Sequence, residues 1–64
     1  MVTINGENVN VAGKTIAEYL EATDFDIRLI AIERNGEIIP KSQYGEIILK
    51  DGDSVEVVSF VGGG

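Results

Sequence analysis

Three consecutive glycines, Gly62, Gly63 and Gly64, follow a strand-like run and are the residues with the clearest chemical use. Glycine has no Cβ, so an extended glycine stretch can enter a channel too narrow for other residues. Three extended residues reach roughly 10 Å. With Gly64 last in the sequence, the working group would be its α-carboxylate. We therefore interpret 62–64 as a carrier tail; the alternative is an inert chain end, where small residues also collect.

Most other chemistry is excluded by residue type. The sequence has no histidine and no cysteine, which removes Ser-His-Asp and Cys-His nucleophiles and zinc sites built from those ligands. The acidic residues Asp51, Asp53 and Glu56 lack the spacing of a twelve-residue calcium loop. We read them as a turn and a following strand residue, and we predict no metal site. The terminal glycines are not a phosphate loop, because no helix follows them.

Two further acids flank a predicted hairpin. Glu33 and Glu37 could form an acid–base pair, but a 64-residue domain offers no pocket that would raise either pKa. We interpret both as solvated, with Arg34 as a local partner. An autonomous enzyme is therefore not expected.

The run before the glycines is the second candidate site. If Val55 and Val57 point inward, alternation along a strand places Val58 and Phe60 on the outer face. Together with Val61, they would form an exposed apolar docking patch beside the tail. The alternative is that the strand twists or is covered, which would leave Phe60 buried.

Length and charge limit the class of protein. Sixty-four residues make one domain, which we place at 1–61, with the tail at 62–64. The net charge of −6 and the scattered basic residues argue against nucleic acid. The acidic surface indicates either a partner with a basic docking face or a charge that only keeps a small protein soluble. No signal peptide and no apolar run of membrane length are present. With cysteine absent as well, we predict a cytoplasmic protein that does not contact membrane.

The first half of the chain is predicted to form a hairpin and a helix. Residues 2–4 and 7–11 alternate apolar and polar side chains around Asn5 and Gly6, a strong hairpin signal. Thr15 and Glu18 have the spacing of a capping box, so a helix should run to about residue 22. We expect its buried face to carry residues 16 and 20.

The second half is predicted to be mostly strand. Phe25 should plug the helix end into the core, and an interior strand should cover 27–33, with Ile30 and Ile32 inward. Asn35 and Gly36 repeat the hairpin signal. The remaining predicted elements are a strand over 37–39, an irregular turn over 41–44, a short strand over 46–49, a tight turn over 51–53 and a final strand over 55–61.

This order of elements predicts an α+β fold. Two hairpins flank one helix in the sequence, and that helix is the only predicted crossover connection. The first and last strands, which are joined through it, should therefore lie side by side and parallel. A mixed sheet of about five strands around one helix is the β-grasp, or ubiquitin-like, architecture.

Several segments together resemble the ThiS family of sulfur carriers in thiamine (thiazole) biosynthesis. These segments are IERNGEIIP at 32–40, the DGD turn at 51–53 and the ending FVGGG at 60–64. The resemblance covers nearly the whole chain. All ubiquitin-like carriers share a double-glycine end. The small subunit of molybdopterin synthase, however, usually has a proline pair before its glycines and a longer chain, which argues against that assignment here.

The resemblance implies a mechanism and partners. An ATP-dependent adenylating enzyme would convert the Gly64 carboxylate to an acyl-adenylate, and a sulfur donor such as a cysteine desulfurase persulfide would displace AMP. The resulting thiocarboxylate would supply sulfur to thiazole synthase. The chain itself would bind no cofactor, and ATP would be used by the partner. The alternatives are a molybdopterin-type sulfur carrier, a ubiquitin-like modifier, or an interaction module with an inert tail.

Overall fold

The computed structural model describes residues 1–60, which form one mixed five-stranded sheet and one helix. The elements are β1 (Val2–Ile4), β2 (Glu7–Val9), α1 (Ile16–Glu21), β3 (Ile30–Arg34), β4 (Glu37–Ile39) and β5 (Ser54–Ser59). The strand order is β2-β1-β5-β3-β4, with β1 and β5 parallel and the other neighbours antiparallel. This arrangement confirms the predicted α+β, β-grasp fold with parallel first and last strands.

The core lies on one face of the sheet, because alternate residues of each strand point the same way. The inward residues come from the three central strands, the helix and the loops between them: Val2, Ile4, Val11, Ile16, Leu20, Ile30, Ile32, Tyr44, Leu49, Val55 and Val57. Each large apolar side chain removed from water contributes about 1.5–3 kcal/mol. The predicted inward residues of the helix and of β3 are confirmed.

The helix is short and depends on its amino-terminal cap. The Thr15 hydroxyl accepts from the Glu18 amide at 3.1 Å, and the Glu18 carboxylate accepts from the Thr15 amide at 2.8 Å. The hydrogen bond from the Thr15 amide to its carboxylate lowers the pKa of Glu18. Six residues are too few for a stable isolated helix, so the cap and the buried Ile16 and Leu20 hold it in place. The predicted capping box is confirmed.

Both Asn-Gly turns adopt the predicted hairpin geometry. Asn5 and Gly6 have φ of 51° and 84°, and Asn35 and Gly36 have φ of 51° and 88°. Two consecutive left-handed residues define the tight turn that matches the twist of flanking antiparallel strands.

The connector after the helix differs from the prediction. Phe25 is 38% exposed and does not enter the core. Its amide donates a hydrogen bond to the Thr23 hydroxyl at 3.3 Å, which holds this residue in a connector at the surface. The interior strand begins at Ile30 instead of residue 27. Asp26 caps a 3₁₀ turn over Ile27–Leu29 by accepting from the Arg28 amide. Hydrogen bonds from the Arg28 side chain and amide lower the pKa of Asp26 to about 2.

Three other boundaries also shift. β2 ends at Val9 instead of residue 11, because the Val11 amide bonds back to the Val9 carbonyl and turns the chain. The strand predicted over 46–49 is reduced to an isolated bridge between Thr15 and Ile48. That segment bonds to the loop before the helix instead of to a strand. The last strand is Ser54–Ser59, so it begins one residue earlier than predicted and ends before Phe60; only residue 61 of the predicted strand lies outside the described residues.

The predicted turns are otherwise present. A 3₁₀ turn covers Lys41–Gln43 directly after Pro40 ends β4. Gly52 has φ of 91°, as a tight turn before β5 requires. No helix formed by residues 1–60 is long and apolar enough to cross a membrane.

Candidate functional site

The predicted site residues divide between the end of β5 and the tail. Gly62, Gly63, Gly64 and Val61 lie outside the described residues, so the carrier tail and its boundary at 61/62 stay predictions. Val58 and Phe60 are 46% and 56% exposed. The neighbouring valines of β5, at 55 and 57, are buried. The strand therefore alternates as expected, and its outward side chains are apolar just before the tail.

Cross-strand pairing extends this apolar surface onto β3. Ala31 is the register partner of Val58. One step further along, the Phe60 amide donates to the Leu29 carbonyl at 2.6 Å, and Leu29 is 43% exposed. We call Leu29, Ala31, Val58 and Phe60 the outer patch. Leu29, Val58 and Phe60 are exposed and Ala31 is half-buried. Grouped apolar side chains on the surface of a small protein mark an interaction surface more often than scattered ones do.

An acidic row borders the outer patch on the same face of the sheet. Glu33 of β3 is the register partner of Glu56 of β5, and Ile38 of β4 lies beyond Glu33 at 66% exposure. Directly opposed like charges destabilise an antiparallel pair. This face is therefore apolar near Phe60 and negative at Glu33 and Glu56, with Ile38 at its far side. It is complementary to an apolar surface that also carries lysine or arginine.

Arg34 does not serve as the local partner of Glu33 and Glu37. Successive side chains of a strand point to opposite faces, so Arg34 points away from Glu33. Although Glu37 lies opposite Arg34 in the hairpin, the guanidinium contacts Asp53 at 2.9 Å instead. The hairpin assignment was right, and the pairing of charges was wrong.

Asp53 is the centre of a polar network that the sequence pattern did not indicate. Its carboxylate accepts from Arg34 Nε at 2.9 Å, from Asn35 Nδ2 at 3.0 Å and from the Lys50 amide at 2.9 Å. Burial alone raises the pKa of Asp53, but the bonds from Asn35, Lys50 and Arg34 outweigh it, so the pKa lies below its ordinary value. The network ties the β3–β4 hairpin to the turn that begins β5.

The two turn asparagines also hold β5 through their side chains. Asn5 Oδ1 accepts from the Val57 amide at 2.8 Å, and Asn35 Oδ1 accepts from the Ser54 amide at 2.9 Å. Each hairpin turn thus bonds to the backbone of the strand that precedes the tail. The sequence predicted the turns from Asn-Gly, but no local signal indicated these bonds to residues far along the chain.

The described residues offer support for a tail and little chemistry of their own. Within residues 1–60, no three acidic side chains are grouped closely enough to hold a metal ion. Tyr44 is 4% exposed in the core, and burial raises its pKa. Tyr44 thus contributes to local packing, and Arg34 belongs to the Asp53 network.

Comparison with known proteins assigns this architecture to a family. The ThiS family profile matches residues 2–64, which is nearly the whole chain and includes the tail. The chain belongs to the ThiS family. The sulfur carrier protein ThiS of Bacillus subtilis is 39% identical over the full length of both chains, and that of Thermus thermophilus is 38% identical over the full length of both. The resemblance to the ThiS sulfur carriers that the sequence suggested is therefore confirmed.

A solved structure and a longer relative complete the comparison. The crystal structure of the thiamine biosynthesis protein ThiS from Geobacter metallireducens superposes with a TM-score of 0.79 at 33% identity, covering 98% of this chain and 97% of that one. A thiazole synthase of Paramagnetospirillum magneticum is 45% identical over 98% of this chain. The chain spans only 20% of that relative's length, so the likeness concerns a ThiS-like segment of a larger protein.

Proposed function

We propose that the chain carries sulfur as a thiocarboxylate on Gly64 and delivers it for thiazole formation. A carboxylate is a poor electrophile, so it must first be activated. In the proposed cycle a Gly64 carboxylate oxygen attacks the α-phosphorus of ATP and releases pyrophosphate. The acyl-adenylate then reacts with a persulfide sulfur and loses AMP. A thiol cleaves the resulting acyl disulfide, leaving the thiocarboxylate on the carrier and a disulfide on the donor.

The observation that carries this proposal is that the family match includes the glycine tail. The outer patch on the strand that leads to the tail supports it. Because glycines 62 and 63 have no side chains, they would pass through a narrow channel while the folded domain stays outside. The outer patch would hold the domain on its partner. The Asp53 network and the two turn asparagines would keep β5 in place while the tail reaches the reacting groups.

The proposed partners follow from this chemistry. An ATP-dependent adenylating enzyme would activate Gly64, a cysteine desulfurase or another sulfur donor would supply sulfur, and thiazole synthase would accept it. The thiazole synthases that contain a ThiS-like segment support the last assignment. Joining a carrier to its acceptor raises the effective concentration of one for the other. On this proposal ATP is a substrate of the partner, and the carrier holds no cofactor.

Reconstitution of sulfur delivery tests the proposal. The chain is combined with adenylating enzyme, ATP, a persulfide donor, a reducing thiol, thiazole synthase and its substrates, and thiazole product is measured. Wild type supports product formation, and a variant lacking Gly64 does not. Gly63→Ala keeps the fold and slows adenylation, because its Cβ would obstruct the channel. Equal product with wild type and the variant lacking Gly64 would favour an interaction module with an inert tail.

A further inference from the structure

The backbone of β5 has hydrogen-bonding partners on both sides only for part of its length. Along a strand, the amide and carbonyl of successive residues point to opposite neighbours. Because the Phe60 amide bonds to the Leu29 carbonyl, Ser59 pairs with Ile30 without hydrogen bonds. The amide and carbonyl of Ser59 therefore point away from β3, toward the side occupied by β1.

β1 does not extend far enough to meet Ser59. Its register with β5 covers only Ser54 and Val55, and the Asn5 amide then bonds to the Val55 carbonyl at 2.9 Å. The Asn5 side chain reaches one step further, to Val57. At Gly6 the chain turns away into β2. Among residues 1–60, the Ser59 amide and carbonyl have no hydrogen-bonding partner, and Ser59 is exposed.

The result is an open half-edge at Ser59, the last residue of β5. Unpaired strand edges accept another extended chain, which supplies the missing backbone bonds. The two outer edges of the sheet, β2 and β4, are three-residue strands that do not lead into the tail. The half-edge of β5 is distinguished by its continuity with the residues that carry the proposed chemistry.

We propose that an extended segment of thiazole synthase adds to β5 at Ser59 and forms backbone hydrogen bonds with the Ser59 amide and carbonyl. This inference rests on the proposed function, since it concerns how that partner receives the tail. Added to the edge, the segment would fix the direction in which the tail leaves the domain. Such pre-organisation lowers the entropic cost of threading a glycine arm into a catalytic site.

Charge favours a partner over a second copy of this chain as the occupant. The chain has a net charge of −6, so edge-to-edge pairing of two copies would bring like charges together. Glu56 lies on β5 itself, and Glu7 follows the turn that ends β1. The adding segment is therefore expected to carry lysine or arginine beside its backbone contacts with Ser59.

Two substitutions at one position separate backbone pairing from side-chain contact. Ser59→Pro removes the amide hydrogen, which no described residue accepts, and proline is tolerated where a strand amide faces solvent. Ser59→Ala removes only the hydroxyl and serves as the matched control. Binding to purified thiazole synthase is measured by calorimetry for wild type and both variants. Ser59→Pro should weaken binding roughly 10- to 100-fold, because a buried acceptor is left unpaired, while Ser59→Ala should bind as wild type.

Folding is checked by comparing the amide spectra and urea midpoints of the variants. If Ser59→Pro disturbs the sheet, an amide-to-ester replacement at Ser59 in a synthetic chain removes the same hydrogen without fixing φ, and the same weakening is expected. If a variant that lacks the Ser59 amide hydrogen binds as tightly as Ser59→Ala while wild type still delivers sulfur, strand addition is wrong and the proposed function stands. Sedimentation showing that the half-edge pairs two copies would also overturn it. Failure of wild type to bind or deliver sulfur would instead remove the proposed function.

Discussion

Replacing Asp53 should destabilise the domain far more than its place in a surface turn suggests. Its carboxylate accepts three hydrogen bonds, from Arg34, Asn35 and the Lys50 amide, all at 2.9–3.0 Å. The side chain is only 10% exposed, and that of Arg34 is 22% exposed. Asp53→Ala removes all three bonds at once and leaves the guanidinium without its acceptor. It also loosens the turn from which β5 starts.

The expected loss is about 2–4 kcal/mol in free energy of unfolding. Breaking a buried ion pair from one side costs about 3–5 kcal/mol. Arg34 is partly accessible, so water replaces some of what is lost, and the expected loss reaches below that range. A chain of this length has a total stability of roughly 3–10 kcal/mol at about 0.05–0.15 kcal/mol per residue. One substitution in the turn should therefore remove a large part of it.

Urea unfolding followed by far-ultraviolet circular dichroism measures this loss. The matched control is Asp51→Ala, two residues away in the same turn, whose side chain is 79% exposed and pairs with the amino terminus. Exposed pairs contribute about 0–1 kcal/mol, so the control midpoint should stay near wild type. If both variants unfold at the same urea concentration, Asp53 does not organise the turn and our account of its network is wrong.

Three further predictions follow from the geometry. Folding lowers the pKa of Asp53. The ionised carboxylate therefore stabilises the fold above its ordinary pKa of about 4, and this stability is lost as the pH falls through the lower folded-state pKa. In Asp53→Asn, the loss of stability with falling pH should be smaller by this contribution. Thr15→Ala should cost about 1 kcal/mol in thermal or urea unfolding by removing the helix cap, and an unchanged midpoint would contradict the role of the capping box. Val58→Lys should leave the urea midpoint within about 0.5 kcal/mol of wild type and weaken binding to thiazole synthase or the adenylating enzyme about 10-fold or more. Ile48→Lys, at a site 51% exposed outside the outer patch, is its control, and equal binding by the two variants would refute docking through the patch.

Local signals predicted the elements whose geometry is set by neighbouring residues. Asn-Gly pairs specified both hairpins because those positions require positive φ, and Thr15 with Glu18 specified the helix start. Period-two alternation in the last strand identified Val58 as outward-facing. The order of these elements was enough to derive the β-grasp sheet, because few connections of that order avoid crossing.

Features that depend on distant residues were not predictable in the same way. The strand expected over 46–49 has β-prone residues, but its neighbours in space are the loop residues before the helix, so only one bridge forms. The apolar residues at 27–29 read as strand, yet the Asp26 cap produces a 3₁₀ turn. The bonds from Asn5 and Asn35 to β5, and the network at Asp53, join residues far apart in sequence. The periodicity of a sequence does not indicate contacts between residues that lie far apart along the chain.

The intact mass of the chain after incubation with the proposed adenylating enzyme, ATP, a persulfide donor and a reducing thiol tests the central claim most directly. We expect a shift equal to the replacement of one oxygen by sulfur, located by fragmentation at Gly64 and absent from a variant lacking that residue. An unchanged mass under conditions in which the same enzymes modify a known ThiS protein, or sulfur found on any other residue, would contradict the account.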